Sequence, residues 1–388
     1  MIFYRFSFQP WHSAIEFRRY LHRFVLALSG IHTLEGLHHT PYNHYESIIV
    51  PIKTYLKAKG VRFTDGMLVA SSRIRGLADC MLDIEVTRGS FAEGSEITVG
   101  QLHFRKDESH GMIPVKDSDI VFLTLGSTAA CTVVGSNHSP PVPLPSVQHP
   151  PKDGSWGLWS SLFFSELLNT PHTAQLGNPT NFFSRMTQST SLWFTVTVTS
   201  PGFFNLFEKL TSNKPGRGGI TTFKDSNWLM SIVLPHQPYF LNQPDNVQVF
   251  WGYALSPDKP GDLIQKPMLE CTGREIFQEL LGHLDFPYDL SWKDAIVIPS
   301  IMPYATSPLL TRKCDDRPHV VPKGSSNLAL LGQFVDVPQD GVLGLEYSVR
   351  AAQTAVFKIM RMQKEPKAVY NGDMNFIALT QTLKAFLS

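Results

Sequence analysis

LALLGQFVDVPQDGVLGLEYSVRAAQTAVFKIM, residues 328–360, is the stretch that decides the fold. Leu328 to Leu331 form a short apolar run closed by Gly332, which reads as a buried strand. Gln333 and Phe334 follow in the turn, and a long helix is predicted from about Leu345 to Met360, with Glu346, Tyr347 and Ser348 in its first turn. A strand, a glycine turn and a helix N-terminus can hold an anionic cofactor group, because free backbone N–H groups converge there. Alone, the unit suggests a mononucleotide- or dinucleotide-binding fold.

A second apolar run, Ile120 to Leu125, ends at Gly126-Ser127. It reads as another buried strand entering a tight turn that could bring backbone close to a nucleotide, and taken alone an ordinary strand end is the favoured reading. Further strands are expected at Val61–Phe63, Met81–Val86, Ile97–Phe104, Trp193–Val198, Leu229–Leu234 and Val247–Tyr253. Ser13 with Glu16, and Thr272 with Glu275, have capping-box spacing. The first predicts a helix with Phe17, Leu21, Phe24 and Leu28 on its buried face and Gly30 as its stop. The second predicts a helix ending near Leu284. A helix over Asn43–Lys59 contains Pro51, so a kink or a later start is expected. Further helices are expected over Trp156–Leu168 and Phe203–Leu210. Residues 136–153 carry six prolines and read as an inserted loop or linker.

The composition is that of a globular chain: 388 residues, 43% hydrophobic and 17% charged, with a net charge of +1. No basic field favours nucleic acid. The four cysteines form no CxxC pair, and His32, His38 and His39 match no metal-ligand spacing, so neither a disulfide framework nor a metal is expected. There is no GxSxG elbow. Gly216, Gly218 and Gly219 read as a mobile loop, and Asp315-Asp316-Arg317 as a solvated turn. The start of the chain does not read as a secretory signal, and no apolar run approaches membrane-span length. These features point to a cytoplasmic protein.

Several long segments carry a resemblance. They are FSFQPWHSAIEFRRYLHRF (6–24), HTPYNHYESIIVPIKTYLKAKGVRF (39–63), GGITTFKDSNWLMSIVLPHQPYF (218–240), NQPDNVQVFWGYAL (242–255), RPHVVPKGSSNLALLGQFVDVP (317–338) and LEYSVRAAQTAVF (345–357). Together, in this order, they resemble the oleate hydratase (myosin-cross-reactive antigen) family. The resemblance implies FAD-dependent addition of water to the cis double bond of unsaturated fatty acids, with oleate giving 10-hydroxystearate. It also implies a homodimer and peripheral membrane contact. The fold it implies is an α/β, incomplete FAD/NAD(P)-binding Rossmann-like flavoprotein fold with a substrate-cavity region and a C-terminal helical tail. The expected division is 1–135, a partial FAD-binding and substrate region; 136–153, the Pro-rich insertion; 154–310, the substrate-cavity region; 311–361, a return to the FAD-binding domain; and 362–388, the tail.

By resemblance, Tyr42 is the proton donor, and Tyr45, His236, Gln237 and Tyr239 lie at the substrate. Gly126, Ser127, Gln333, Phe334, Glu346 and Ser348 lie at FAD. Hydration of an isolated alkene needs an acid to protonate carbon, a group to handle water, and a site that excludes bulk solvent. A tyrosine suits the first role and a carboxylate the second. The sequence departs from the family pattern at three places. No GxGxxG and no glutamate-bearing glycine loop occur in the 388 residues. Where family members place Thr, Asn and His at the substrate carboxylate, this chain has Val233, Pro235 and Tyr239. Leu125 stands where many members have Asn. Impaired hydration, or a non-catalytic fatty-acid-binding remnant, is therefore weighed beside an active hydratase. The strand–glycine–helix unit also allows a flavin oxidoreductase. A missing first βαβ unit would expose a sheet edge and make the chain poorly soluble.

Overall fold

The computed structural model describes residues 7–24, 39–64, 68–69, 84–87, 97–106, 109–142, 154–164, 176–217, 220–287, 294–342, 344–369 and 380. In chain order the first elements are α1 (Ala14–Phe24), a π-helical turn (Tyr45–Ile49) that runs into α2 (Val50–Ala58), β1 (Leu68–Val69), β2 (Ile84–Thr87), β3 (Thr98–Lys106), β4 (Ser109–Pro114), β5 (Val121–Thr124) and β6 (Val133–Val134). Then come α3 (Gly154–Phe164), α4 (Thr180–Phe183), α5 (Met186–Ser189), β7 (Ser191–Val198), α6 (Gly202–Thr211), β8 (Thr221–Thr222), β9 (Met230–Val233) and β10 (Gln248–Ala254). The last are α7 (Gly273–Leu284), β11 (Ile296–Met302), β12 (Leu328–Leu331) and α8 (Leu345–Ile359). The molecule mixes helices with both parallel and antiparallel sheet.

Strands β5 and β12 pair in parallel, Leu328 opposite Val121 and Leu331 opposite Thr124. β12 is buried along most of its length, whereas β5 alternates, with Val121 and Leu123 buried and Phe122 exposed. Helix α8 packs on β12 through Tyr347, Ala351 and Ala355, which are fully buried. Trp156, Trp159, Phe182 and Phe334 complete this first core with Phe8 and Tyr20 of the N-terminal segment. β3 is the common partner of β1, β2 and β4. Asn327, at the start of β12, ties this small sheet on: its side chain accepts from the Val99 N–H (2.8 Å) and donates to the Val99 carbonyl (2.9 Å).

The second core lies under an antiparallel sheet of order β6-β11-β7-β10-β9-β8. Alternation along β7 turns Leu192, Phe194, Val196 and Val198 to one face. There they meet Phe203, Phe204 and Phe207 of α6, and Ile276, Phe277, Leu280, Leu281 and Leu284 of α7. The Phe203 and Phe250 rings stack 4.4 Å apart, and each such buried ring contributes ~2–3 kcal/mol from burial alone. The opposite face carries Trp193, Trp251 and Tyr253, with ring centroids 5.1 to 6.5 Å apart.

Several expectations need correction. Val61–Phe63 forms no strand, since Gly60 at φ +88° turns the chain out of α2 into irregular backbone. Strand β11 is an addition, its signal disguised by Pro299. Pro299 cannot donate to a ladder, and it sits where β6 pairs only with Ser300 and Ile301. Pro51 occupies the first turn of α2, and the irregularity it was expected to cause appears upstream as the π-helical turn. Asp316 and Arg317 are buried, not solvated. Gly30, Gly218, Gly219, His32, His38, residues 143–153 and nearly all of the tail from Met374 lie outside the described residues; residues 362–369 hold no helix. Among the described residues, no helix is long and apolar enough to cross a membrane.

Candidate functional site

Two parallel strands ending side by side leave their last backbone groups at a common edge. Here β5 runs into Leu125, whose N–H reaches the Leu331 carbonyl (3.2 Å), and then into Gly126 at φ +62°. β12 runs into Gly332 at φ +98°. Both turns therefore use left-handed backbone that glycine adopts without strain. The Gly126 turn is fixed from outside. Its N–H donates to the Ser155 carbonyl (3.3 Å), and Trp156 Nε1 donates to the Ser127 carbonyl (2.8 Å). A Cβ on Gly126 would lie 2.7 Å from the Phe334 ring.

Gly126, Ser127 and Gln333 are thus brought together, with Gln333 Oε1 facing Thr128 Oγ1 at 3.5 Å. Gln333 Nε2 donates to the Val342 carbonyl (3.4 Å), which joins this edge to the segment leading into α8. Phe334 does not line the edge: it is buried among Trp156, Trp159 and Phe182, with centroid distances of 4.7 to 5.7 Å. It supports the turn from within the core. Glu346 is exposed in the first turn of α8 and faces Arg23 (3.7 Å), while Ser348 is half-buried. What fits a dinucleotide here is an edge of two glycine turns beside a helix start. A GxGxxG cradle is not among these 388 residues.

Beneath this edge lies a charged cluster that sequence reading missed. The Glu16 carboxylate is fully buried, accepts from Arg312 (2.7 Å) and Arg19 (3.4 Å), and faces Arg317 at 3.9 Å. Arg317 donates to Tyr347 Oη (2.8 Å) and to the Pro308 carbonyl (2.7 Å). Tyr347 Oη in turn donates to the Val335 carbonyl (2.6 Å) and accepts from the Val337 N–H (3.1 Å). Burial works against charge on Arg317, but facing Tyr347 and Glu16 hold its pKa above the ordinary value. For Arg312, burial and the like charge of Arg317 outweigh Glu16 and pull the pKa down. The capping box expected at Ser13 and Glu16 is only half formed: Ser13 Oγ accepts from the Glu16 N–H (3.4 Å), but the Ser13 N–H donates to the Leu309 carbonyl (2.8 Å) and the Glu16 carboxylate turns to the arginines instead.

The expected substrate residues come from two segments almost 200 positions apart, and the fold joins them. Asn43 donates to the Tyr239 carbonyl through its backbone N–H (2.9 Å) and its side chain (3.2 Å). The Leu241 N–H donates to Glu46 Oε2 (2.6 Å). The His39 and His236 rings stack at 6.1 Å. Tyr42 is half-buried, with its backbone held by Ser47 and Thr40. Tyr45 is 65% exposed on the π-helical turn, away from any core. Tyr239 is half-buried, and burial raises its pKa, so its phenol stays a hydrogen-bond donor.

Gln237 serves the loop itself. Its amide donates to the Pro235 and Val249 carbonyls (3.0 and 2.8 Å) and accepts from Gln243 Nε2 and the Val249 N–H (2.8 and 3.1 Å). Of the glycine-rich turn, Gly216 (φ +76°) packs against His236, where a Cβ would meet the His236 backbone at 2.9 Å. This part of the turn is a packed support for the loop.

The sequence profile of the MCRA family matches residues 1–357. An oleate hydratase from Streptococcus pyogenes serotype M49 (strain NZ131) is 32% identical over 98% of this chain and 61% of its own length. A linoleate hydratase from Lactiplantibacillus plantarum is 30% identical over 94% of this chain and 65% of its own length. The chain thus spans less than two thirds of either relative. A match over residues 1–357, through both strand-end turns and both joined segments, places the chain in the MCRA family.

Proposed function

We propose that this chain carries the proton-donating and acyl-binding part of a fatty acid hydratase that adds water across the cis double bond of oleate-like acids. The observation that carries the reading is the joining of the Tyr42–Glu46 segment to the 236–241 loop. These two segments hold the expected donor and the expected substrate contacts, and both relatives are named for fatty acid hydration.

In this reading Tyr42 Oη gives its proton to one alkene carbon, and water oxygen bonds to the neighbouring carbon. The water then loses a proton to a carboxylate and Tyr42 is reprotonated, so the net change is addition of one water. Tyr239, Tyr45 and His236 line the acyl chain or its head group, and Gln237 shapes the loop that presents them. FAD is the proposed cofactor, at the edge formed by Gly126, Ser127 and Gln333 beside Glu346 and Ser348 at the start of α8. We infer that β5 and β12 belong to a Rossmann-like sheet. When bound, FAD supplies support for the positive charge that develops on substrate carbon. None of the 388 residues matches the family's water-handling glutamate, so hydration by this chain alone is proposed to be impaired. A homodimer or peripheral membrane contact suits the apolar side chains of Ile49, Ile52 and Tyr55, which stand exposed along the π-helical turn and α2.

The test is mass-spectrometric detection of 10-hydroxystearate after the purified chain is incubated with oleate, FAD and a reductant. Product that falls about 10²- to 10⁴-fold in Tyr42→Phe would uphold the tyrosine as the acid and overturn the impairment. No product, with oleate retained and the melting temperature raised, would support acyl binding without turnover. A chain that neither forms product nor retains oleate would sink the proposal.

A further inference from the structure

Away from both loci, helix α7 presents Glu279 and His283 one turn apart on the same side, and the 261–264 loop brings Asp262 against them. One ligand atom from each residue lies within 4.8 Å of the others. His283 Nε2 is 3.4 Å from Asp262 Oδ2 and 3.4 Å from Glu279 Oε1. We propose that Asp262, Glu279 and His283 form a binding site for a divalent transition-metal cation, with Zn2+ as its natural probe.

The distances suit an ion rather than hydrogen bonds. Nitrogen and oxygen ligands bonded at ~2.1 Å to a tetrahedral zinc sit about 3.4 Å from one another. His283 Nε2 is buried and makes no hydrogen bond to either carboxylate, although it faces both. A purely structural role explains Glu279, whose fully buried carboxylate accepts the N–H groups of Asp262 (2.7 Å), Leu263 (3.0 Å) and Ile264 (2.7 Å). It leaves the imidazole nitrogen aimed between two carboxylate oxygens at ion-pair distance, without a hydrogen bond to either.

The surroundings prepare the ligands. The Asn227 N–H donates to Asp262 Oδ2 (3.0 Å), and the three N–H groups fix Glu279, as outer contacts do around bound metals. The His283 ring lies against Phe223, with centroids 5.5 Å apart. Gly261 lets the loop approach, since a Cβ there would be 3.0 Å from Glu279 Cδ. The Asp262 side chain is 34% exposed, which leaves the cluster open to solvent on that side. The expectation of no metal rested on cysteine and histidine spacing, and this set has a single histidine.

The experiment uses the full 388-residue chain, freed of metal with chelator and titrated with Zn2+ by calorimetry and with Co2+ by visible absorption. The expected result is equimolar Zn2+ binding, a raised melting temperature, and the visible bands of Co2+ in an N/O tetrahedral site. Asp262→Asn and His283→Gln should each lose that binding while melting, without metal, close to the unsubstituted chain. No binding by the unsubstituted chain would overturn the proposal, as would equal binding by all three proteins. Should either variant fail to fold, the Co2+ spectrum decides. Near-ultraviolet thiolate bands would place the metal on cysteines and overturn the proposal, and their absence from an equimolar tetrahedral spectrum would uphold it.

Discussion

His12 is packed between Phe8 and Trp11, and its Nδ1 accepts from the Gln9 N–H (3.0 Å). Burial first, and then the Arg185 charge, push its pKa down to about 4 from the ordinary 6.5. The folded protein therefore holds the neutral ring, while the unfolded chain takes up a proton near pH 6.5. Stability from this group is complete above pH 6.5 and is lost as pH falls towards 4. The gap corresponds to ~3 kcal/mol. Denaturant unfolding at pH 7 and pH 4 should show this loss in the native chain, and a loss smaller by that amount in His12→Asn, whose amide oxygen can still accept from Gln9. An identical pH dependence in the two proteins would rule His12 out as its source. The neighbours Phe8, Gln9 and Trp11 do not by themselves announce this behaviour, because Arg185 and the bridge to Leu310 reach His12 from distant segments. Arg317 teaches the same lesson: beside two aspartates it reads as a turn residue, yet its partners Tyr347 and Glu16 lie 30 and about 300 positions away.

At the scale of elements, local chemistry carries further. Thr272 and Glu275 exchange the hydrogen bonds that their spacing predicts. Thr272 Oγ1 accepts from the Glu275 N–H (3.3 Å), and Glu275 Oε2 accepts from the Thr272 N–H (2.8 Å). Lys266 adds an ion pair to Glu275 at 2.7 Å. Thr272→Ala should cost about 1 kcal/mol, the usual cost of a lost N-cap. Gly273→Ala should cost more, since its Cβ would fall 2.0 Å from the Val297 carbonyl oxygen, where α7 meets β11. Urea midpoints at constant slope would check both, and equal costs would contradict the close approach. Strands with clean apolar patterns, such as β7, β10 and β12, were legible for the same reason as this cap: neighbours in sequence decide them. β11 was not, because its proline argues against a strand until β6 is seen to leave that position nearly unpaired. Asp262 was not legible as a neighbour of Glu279 and His283, since a loop fold joins them.

At the scale of the molecule, among the described residues the second core is drawn from residues 192–301, while the first takes residues on either side of that span. Two cores with separate side chains can open separately. Hydrogen exchange should therefore show the amides of β7, β10 and α7 moving together, with an opening free energy different from that of β5 and β12. Exchange of both groups at one common free energy would show a single cooperative unit. The joining of the 39–46 and 236–241 segments was legible only through family resemblance, because no local pattern links them.

The parallel pair β5–β12 also has a consequence in time. Thr124 and Leu331 sit beside each other in space but about 200 residues apart along the chain. A ribosome adding roughly 5–20 residues per second needs ~10–40 s to travel from one strand to the other. The sheet centred on β7 and β10 can fold within that interval, but the edge of β5 that meets β12 must wait unpaired until β12 emerges. The newborn protein thus carries an open strand edge through much of its own synthesis, beside the turns to which we assign the flavin.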